Sequence, residues 1–173
     1  TAAFISSPIP TTTAAVTRNS DLLSYPSSGN ISVLAEYTIY VEWQIYATDN
    51  ANHLLVASDK SFAPYLSHNT VSGPSFNSLT FYSSTGDSGK SHTLAGDAEN
   101  TARKGACSRD SININVVAQG GTTDSIINGT ETAEVTVIHI GRVGTTELLY
   151  GTIKNVRIWN KALTDAQLVS ITT

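Results

Sequence analysis

The sequence predicts an all-β sandwich closed by one short C-terminal helical turn. Three observations carry this. Apolar and polar residues alternate with period two in several separate stretches, as half-buried strands do. Clusters of Gly, Ser, Asn and Asp separate those stretches, as turns do. Only one segment, near the C-terminus, carries a helix start signal. The 173 residues suffice for one sizeable core, so a single domain is expected. Hydrophobic residues make up 40% of the chain and recur along its whole length, which argues against disorder.

Residues 1–30 are rich in Thr, Ser and Pro, with Pro8, Pro10 and Pro26 as breakers. They read as an extended lead-in with short strand pieces, packed on a domain spanning 31–173. The clearest strand covers 35–47. Tyr37, Ile39, Val41, Trp43 and Ile45 form its inward set; Tyr40, Glu42, Gln44 and Tyr46 point the other way. Leu54–Ser58 follows the turn-forming run Asp49-Asn50-Ala51-Asn52, which predicts a hairpin. Residues 75–83 predict a strand with Leu79 and Phe81 inward and Tyr82 outward. Residues 111–118 predict another, with Ile112, Ile114 and Val116 on one face and Asn113, Asn115 and Val117 on the other. Asn128-Gly129 after Ser125–Ile127 is a hairpin signal, because a type I′ turn needs positive φ at both central positions. Val135–Ile140 and Gly151–Trp159 complete the strands. The second carries an irregularity between Ile153 and Val156, which leaves the side taken by Trp159 open. Thr164-Asp165-Ala166-Gln167 fits a capping box, with Leu163 and Leu168 as a staple across it, and the helix should run to about Ile171.

Several function classes are disfavoured. The formal net charge is -4, and the densest basic stretch, Arg103, Lys104 and Arg109, reads as a solvated loop, so no nucleic-acid partner is expected. Cys107 is alone, so no intrachain disulfide forms. No apolar run approaches a membrane span, and no membrane insertion is expected. His53, His68, His92 and His139 lack ligand spacing for zinc. No G-x-S-x-G elbow and no phosphate-cradling Gly loop occurs. Glycoside hydrolysis needs two carboxylates about 5–10 Å apart. The nearest pair on one strand, Glu36 and Glu42, would lie about 20 Å apart at roughly 3.3 Å per residue. No enzyme activity is expected. The sequons at Asn30 and Asn128 carry no weight. The chain begins at Thr1 and contains no Met, as a piece of a longer polypeptide would.

The run Ile138-His139-Ile140-Gly141-Arg142, followed by Tyr150-Gly151-Thr152-Ile153-Lys154-Asn155-Val156-Arg157-Ile158-Trp159-Asn160-Lys161-Ala162-Leu163-Thr164, resembles the closing signature of laminin-G-like, concanavalin A-like lectin-glucanase domains. Ile127-Asn128-Gly129-Thr130 is similar to the hairpin of that family, and Tyr37–Trp43 to its early strand. The resemblance implies a two-sheet antiparallel jelly-roll sandwich with a short C-terminal helical turn. Residues 60–110 depart from the pattern. A second resemblance lies at the start: Ser7–Asp21 is similar to a lead-in of bacteriophage tail fibre and tailspike proteins. It implies a virion location, at the particle surface or tail, with the rest of a larger virion polypeptide as partner.

The first resemblance also implies a Ca²⁺ ion at the sandwich rim, for which Asp49, Asn52 and Asp97, or Asp87, offer oxygens; ordinary turn formation is the stronger explanation of each. A sugar site pairs a flat aromatic face with amide and carboxylate groups that read hydroxyls. The outward set Tyr40, Glu42, Gln44 and Tyr46 offers this combination, and Tyr82, Asn113, Asn115 and Arg157 would extend it if neighbouring strands bring them to the same face. The expected ligand is then a bacterial surface polysaccharide or other glycan, bound by a homo-oligomer for avidity. The alternative is a structural decoration or assembly module with no glycan ligand.

Overall fold

The computed structural model describes residues 23–29, 32, 36–46, 52–58, 64–70, 77–82, 89–95, 99–127, 135–143, 147–149 and 151–173. In chain order the strands are β1 (Leu23–Pro26), β2 (Tyr37–Ile45), β3 (Asn52–Ser58), β4 (Tyr65–Asn69), β5 (Ser78–Tyr82), β6 (Lys90–Thr93), β7 (Arg103–Arg109), β8 (Asn113–Ala118), β9 (Asp124–Ile127), β10 (Val137–Ile140), β11 (Arg142–Val143), β12 (Glu147–Leu148) and β13 (Gly151–Trp159), followed by helix α1 (Asp165–Thr172). They form a six-stranded sheet ordered β1-β10-β3-β4-β5-β6 and a five-stranded sheet ordered β13-β2-β7-β8-β9, with β11 and β12 as a small ribbon. Every strand pairing is antiparallel. This is the predicted two-sheet sandwich.

The core lies between the sheets, and β2 shows why. Its inward set, Tyr37, Ile39, Val41, Trp43 and Ile45, is buried against Leu66, Leu79 and Phe81 of the other sheet. Ile114 and Val116 of β8 join the same core, while Ile112, outside the strand, is exposed. Burying such side chains contributes roughly 1.5–3 kcal/mol each. On β13 the register slips between Ile153 and Asn155, where the sequence predicts an irregularity. Ile153 stays opposite Trp43 and Asn155 moves opposite Glu42, so Lys154 is the extra residue.

Two expectations change. The stretch 103–109 is the central strand β7, not a solvated loop, and Arg103 and Arg109 are buried. Its middle residues are small because Trp43 and Leu79 fill the space above: a Cβ on Gly105 would sit 3.0 Å from Trp43 Cζ3 and closer still to Leu79. Arg103 is accommodated by Nη1 donating to Ala95 O (3.0 Å) and Gln119 Oε1 (2.9 Å). β2 and β3 do not form a hairpin. β2 pairs with β13 and β7, whereas β3 pairs with β10 and β4 in the opposite sheet. The chain between them crosses from sheet to sheet, a switch that local turn chemistry does not reveal. β9 pairs with β8, while the predicted Asn128-Gly129 turn and the return strand at Glu131–Thr132 lie outside the described residues. The lead-in supplies one short strand piece. β1 pairs with β10 as an edge strand, a position where Pro26 is tolerated. Residues 1–22 lie outside the described set.

Candidate functional site

The helix decides which part of the five-stranded sheet's outer face is open. Thr164 caps it as predicted, with Gln167 N donating to Thr164 Oγ1 (3.4 Å) and Thr164 N donating to Gln167 Oε1 (3.0 Å). Leu168 is fully buried against Tyr40, Ala106 and Val117, and Leu163, Val169, Ile171 and Trp159 pack around them. Thr38 fixes the approach to the helix: its hydroxyl donates to Lys161 O (2.8 Å) and accepts from Leu163 N (2.9 Å). α1 therefore lies over β7 and β8 and divides the outer face into two halves.

The first half lies on β2 and β13. The register places Arg157 opposite Tyr40, Asn155 opposite Glu42 and Thr152 opposite Gln44. Tyr40 Oη donates to Glu42 Oε1 (2.7 Å), and Asn155 Nδ2 donates to the same oxygen (3.2 Å). Lys154 Nζ stands 4.0 Å from Glu42 Oε2. These contacts hold the Glu42 carboxyl below its ordinary range: first the Tyr40 hydrogen bond, then that of Asn155, with Lys154 and Lys104 adding smaller effects. The Tyr40 phenol is pushed above its ordinary range, by burial first and by Glu42 second. The Arg157 guanidinium carbon sits 5.9 Å from the Tyr40 ring centroid, within cation–π reach. Tyr46 Oη shares a 3.0 Å hydrogen bond with Thr152 Oγ1. Gln44 is half-buried between them.

The second half, beyond the helix, is a polar cleft of about 500 Å³ lined by Glu36, Asp110, Asn113, Asn115, Ser125, Thr164 and Asp165. Its groups are largely engaged with one another. Ser125 Oγ donates to Asn115 Oδ1 (2.5 Å), and Asp110 Oδ1 accepts from the backbone of Ile112 (2.7 Å) and Asn113 (2.6 Å).

The predicted site is therefore partly assembled. Tyr40, Glu42, Gln44, Tyr46 and Arg157 share the first half. Asn113 and Asn115 face the same way but lie on the other side of α1. Tyr82 does not belong to this face: β5 is in the opposite sheet, where the Tyr82 ring stacks on Tyr65 at 4.5 Å. Period-two alternation assigns a side within a strand but says nothing about which sheet the strand joins. Tyr40 also departs from the expected stacking role. It is 4% exposed, its ring taken by Leu168 and Arg157. Glu36 and Glu42 fall in different halves, so this pair does not meet as two carboxylates. Asp49, Asp87 and Asp97 lie outside the described residues, and of Asn52 only the backbone is described. Among the described residues no group of three or more His, Cys, Asp or Glu could hold a metal ion.

Sequence reasoning missed Asn155, Lys154 and Thr152. A signal for them existed, since the irregularity in β13 is what turns Asn155 outward. It also missed a polar cluster inside the core. Trp43 Nε1 donates to His68 Nδ1 (3.0 Å), and His68 Nε2 bonds Asn77 Oδ1 (2.6 Å), which fixes the tautomer. His53 packs edge-on to His68 with ring centroids 6.4 Å apart. A further cleft of about 400 Å³ opens between the free edges of the two sheets. Leu23, Tyr25, Ile138, Ile140, Ile153 and Ile158 make it largely apolar, and Lys154 and Asn155 of the first half stand at its polar side.

No family model matches the sequence, and no curated protein matches it. Solved structures do match. A native heptameric SAP-like pentraxin from Limulus polyphemus aligns with a TM-score of 0.65 at 13% identity, over 81% of this chain and 70% of that one. The CBM40 of a Ruminococcus gnavus IT-sialidase, bound to α2,3-sialyllactose, aligns at 0.57 and 14% identity, over 81% and 84%. Xenopus laevis galectin-Ib aligns at 0.52 and 7% identity, over 80% and 100%. The chain thus has the jelly-roll sandwich fold of lectin-type, concanavalin A-like domains. At these identities the likeness shows the fold alone.

Proposed function

We propose that this chain is a non-catalytic, lectin-like carbohydrate-binding domain whose ligand lies on the β2–β13 half of the outer face. The observation that carries the reading is the arrangement around Glu42. One carboxylate holds the Tyr40 hydroxyl and the Asn155 amide in fixed positions, beside the exposed Arg157 and the half-buried Gln44 and Tyr46. Such a flat, hydrogen-bonding track suits saccharide hydroxyls, and Tyr46 is the ring best placed to cover a sugar's C–H face. The fold supports it, because lectin-type domains share it and one of them was solved with a bound saccharide. The resemblance of Ser7–Asp21 to phage tail proteins supports a virion setting, in which the domain would be part of a tail fibre or tailspike that recognises a host surface glycan. Oligomerisation would raise weak single-site affinity.

A second reading draws on the apolar mouth between the sheet edges, where Leu23 and Tyr25 are 46% and 49% exposed. An assembly module without a glycan ligand would use such a surface to pack on the rest of the virion polypeptide. A glycan array probed with the folded domain, with and without Ca²⁺, separates the two. The carbohydrate reading expects reproducible saccharide binding that Tyr46→Ala and Asn155→Ala abolish and Tyr82→Ala leaves intact. Loss of binding on chelation would add a calcium role. A blank array with folded, oligomeric protein would select the assembly module.

A further inference from the structure

Resting on the carbohydrate reading, we infer that the ligand is an acidic saccharide, and that Arg157 takes its carboxylate in a bidentate pair. The first argument is charge. The chain carries a formal net charge of -4, yet among the described residues Glu42 is the one side-chain carboxylate on the β2–β13 half, flanked by Lys154 and Arg157, with Lys104 opposite it on β7, its ammonium donating to Thr173 O. The half beyond α1 has the opposite character: among the described residues Glu36, Asp110 and Asp165 line it and no cation does. An anionic ligand is drawn to one half and repelled from the other.

The second argument is the state of the groups. Glu42 Oε1 already accepts two hydrogen bonds and Oε2 faces Lys154, so the one side-chain carboxylate among the described residues of this half is committed to holding the protein's own groups. What remains for a ligand is mainly donors. Arg157 is exposed, rests against the Tyr40 ring, and makes no side-chain hydrogen bond or ion pair to any described residue. Lys154 has 84% of its side chain exposed. Neutral sugars present donors and acceptors in equal measure, and a donor-rich surface leaves their hydroxyl protons without partners. A carboxylate-bearing sugar supplies the acceptors. The planar guanidinium matches a carboxylate with two parallel bonds, and its support on an aromatic ring lowers the conformational cost of using it.

The test is titration calorimetry of the intact chain with a uronate-containing oligosaccharide, the same oligosaccharide with its carboxyl groups reduced to alcohols, and polyglutamate as a non-sugar polyanion. The inference expects binding to the uronate, at least about tenfold weaker binding to the reduced form, and little to polyglutamate. Arg157→Gln should cost about tenfold or more on the uronate, as loss of a charge-assisted bidentate pair does, and leave the reduced form unchanged. Lys154→Gln, at a fully solvated position, should weaken the uronate a few-fold and guards against a folding defect in the first variant. Equal affinity for uronate and reduced sugar would overturn the inference while leaving the carbohydrate reading in place. Equal affinity for polyglutamate would overturn it as well. Failure of all saccharides, neutral ones included, would overturn the carbohydrate reading itself.

Discussion

Glu42 and Trp43 are adjacent on β2, and each organises a polar network on its own side of the sheet. Inward, Trp43, His68 and Asn77 form a chain that ends on Leu94 O, to which Asn77 Nδ2 donates (3.2 Å). Each link of that chain ends on a protein partner, with Trp43 and His68 buried and Asn77 half-buried. Outward, Tyr40, Glu42 and Asn155 form a chain of similar size, but it stops at Arg157, Lys154 and Gln44, whose polar ends face solvent. A closed buried network specifies the fold, because leaving any member unpaired there costs its full desolvation. An open one at the surface costs little and leaves groups for a ligand. Substitutions inward should therefore change stability and leave saccharide binding intact once folded; substitutions outward should do the reverse.

The largest effect is expected from Trp43→Ala. It removes a fully buried indole, leaves a cavity against Gly105 and Leu79, and strands His68 Nδ1. The expected loss is about 3–5 kcal/mol by urea denaturation. A loss under about 1 kcal/mol would show that the inward network is not closed.

Acid should open the same network without mutation. Burial holds His68 down to about 4, against an ordinary value of 6.5. Its Nδ1 accepts the Trp43 N–H, so a proton there would face another proton. The unfolded chain binds that proton more readily than the folded one, so stability is full above about pH 6.5 and falls as pH drops toward 4. Full expression of the shift amounts to about 3 kcal/mol. Urea midpoints measured from pH 7 to 4.5 should fall, and the slope should flatten in His68→Gln. An unchanged slope in that variant would assign the acid sensitivity elsewhere.

The two networks were unequally legible in the sequence. The outward one followed in part: alternation along 35–47 assigned Tyr40, Glu42, Gln44 and Tyr46 to one side, and the broken pattern in 151–159 marked the bulge without naming Asn155. Arg157 followed too. The inward one was hidden because it joins β2 to β4 across the sandwich, and β4, with its mixed Tyr65-Leu66-Ser67-His68-Asn69, carries no clean alternation. Strand β7 was hidden for a related reason: its core positions must be small under Trp43, so a Gly-Ala-Cys-Ser centre flanked by arginines looks like a loop. Tyr82 was misplaced because sheet membership is a tertiary fact. The side on which α1 docks was equally invisible, although Leu163 and Leu168 announced that it would dock.

Because α1 covers Tyr40 and separates the two outer halves, weakening it tests the boundary between them. Thr164→Ala removes the cap that satisfies Gln167 N and should cost about 1 kcal/mol. Exchange protection of the α1 amides should drop before that of β7. Equal loss in both would mean that helix and sheet open as one unit.

The smallest stability effect, and the one that separates the networks most cleanly, is expected from Glu42→Gln. The amide oxygen can still accept from Tyr40 and Asn155, so stability should shift by no more than about 0.5 kcal/mol. The charge, however, is gone, and with it the one side-chain carboxylate that the described residues set among Lys104, Lys154 and Arg157. An acidic saccharide should bind about two- to threefold more tightly, the size expected for removing one screened like charge at a surface. A neutral saccharide should bind as before. Weaker binding of the acidic ligand would instead mean that Glu42 accepts ligand hydroxyls itself, and would shift the outward network from a scaffold for its neighbours to a direct contact.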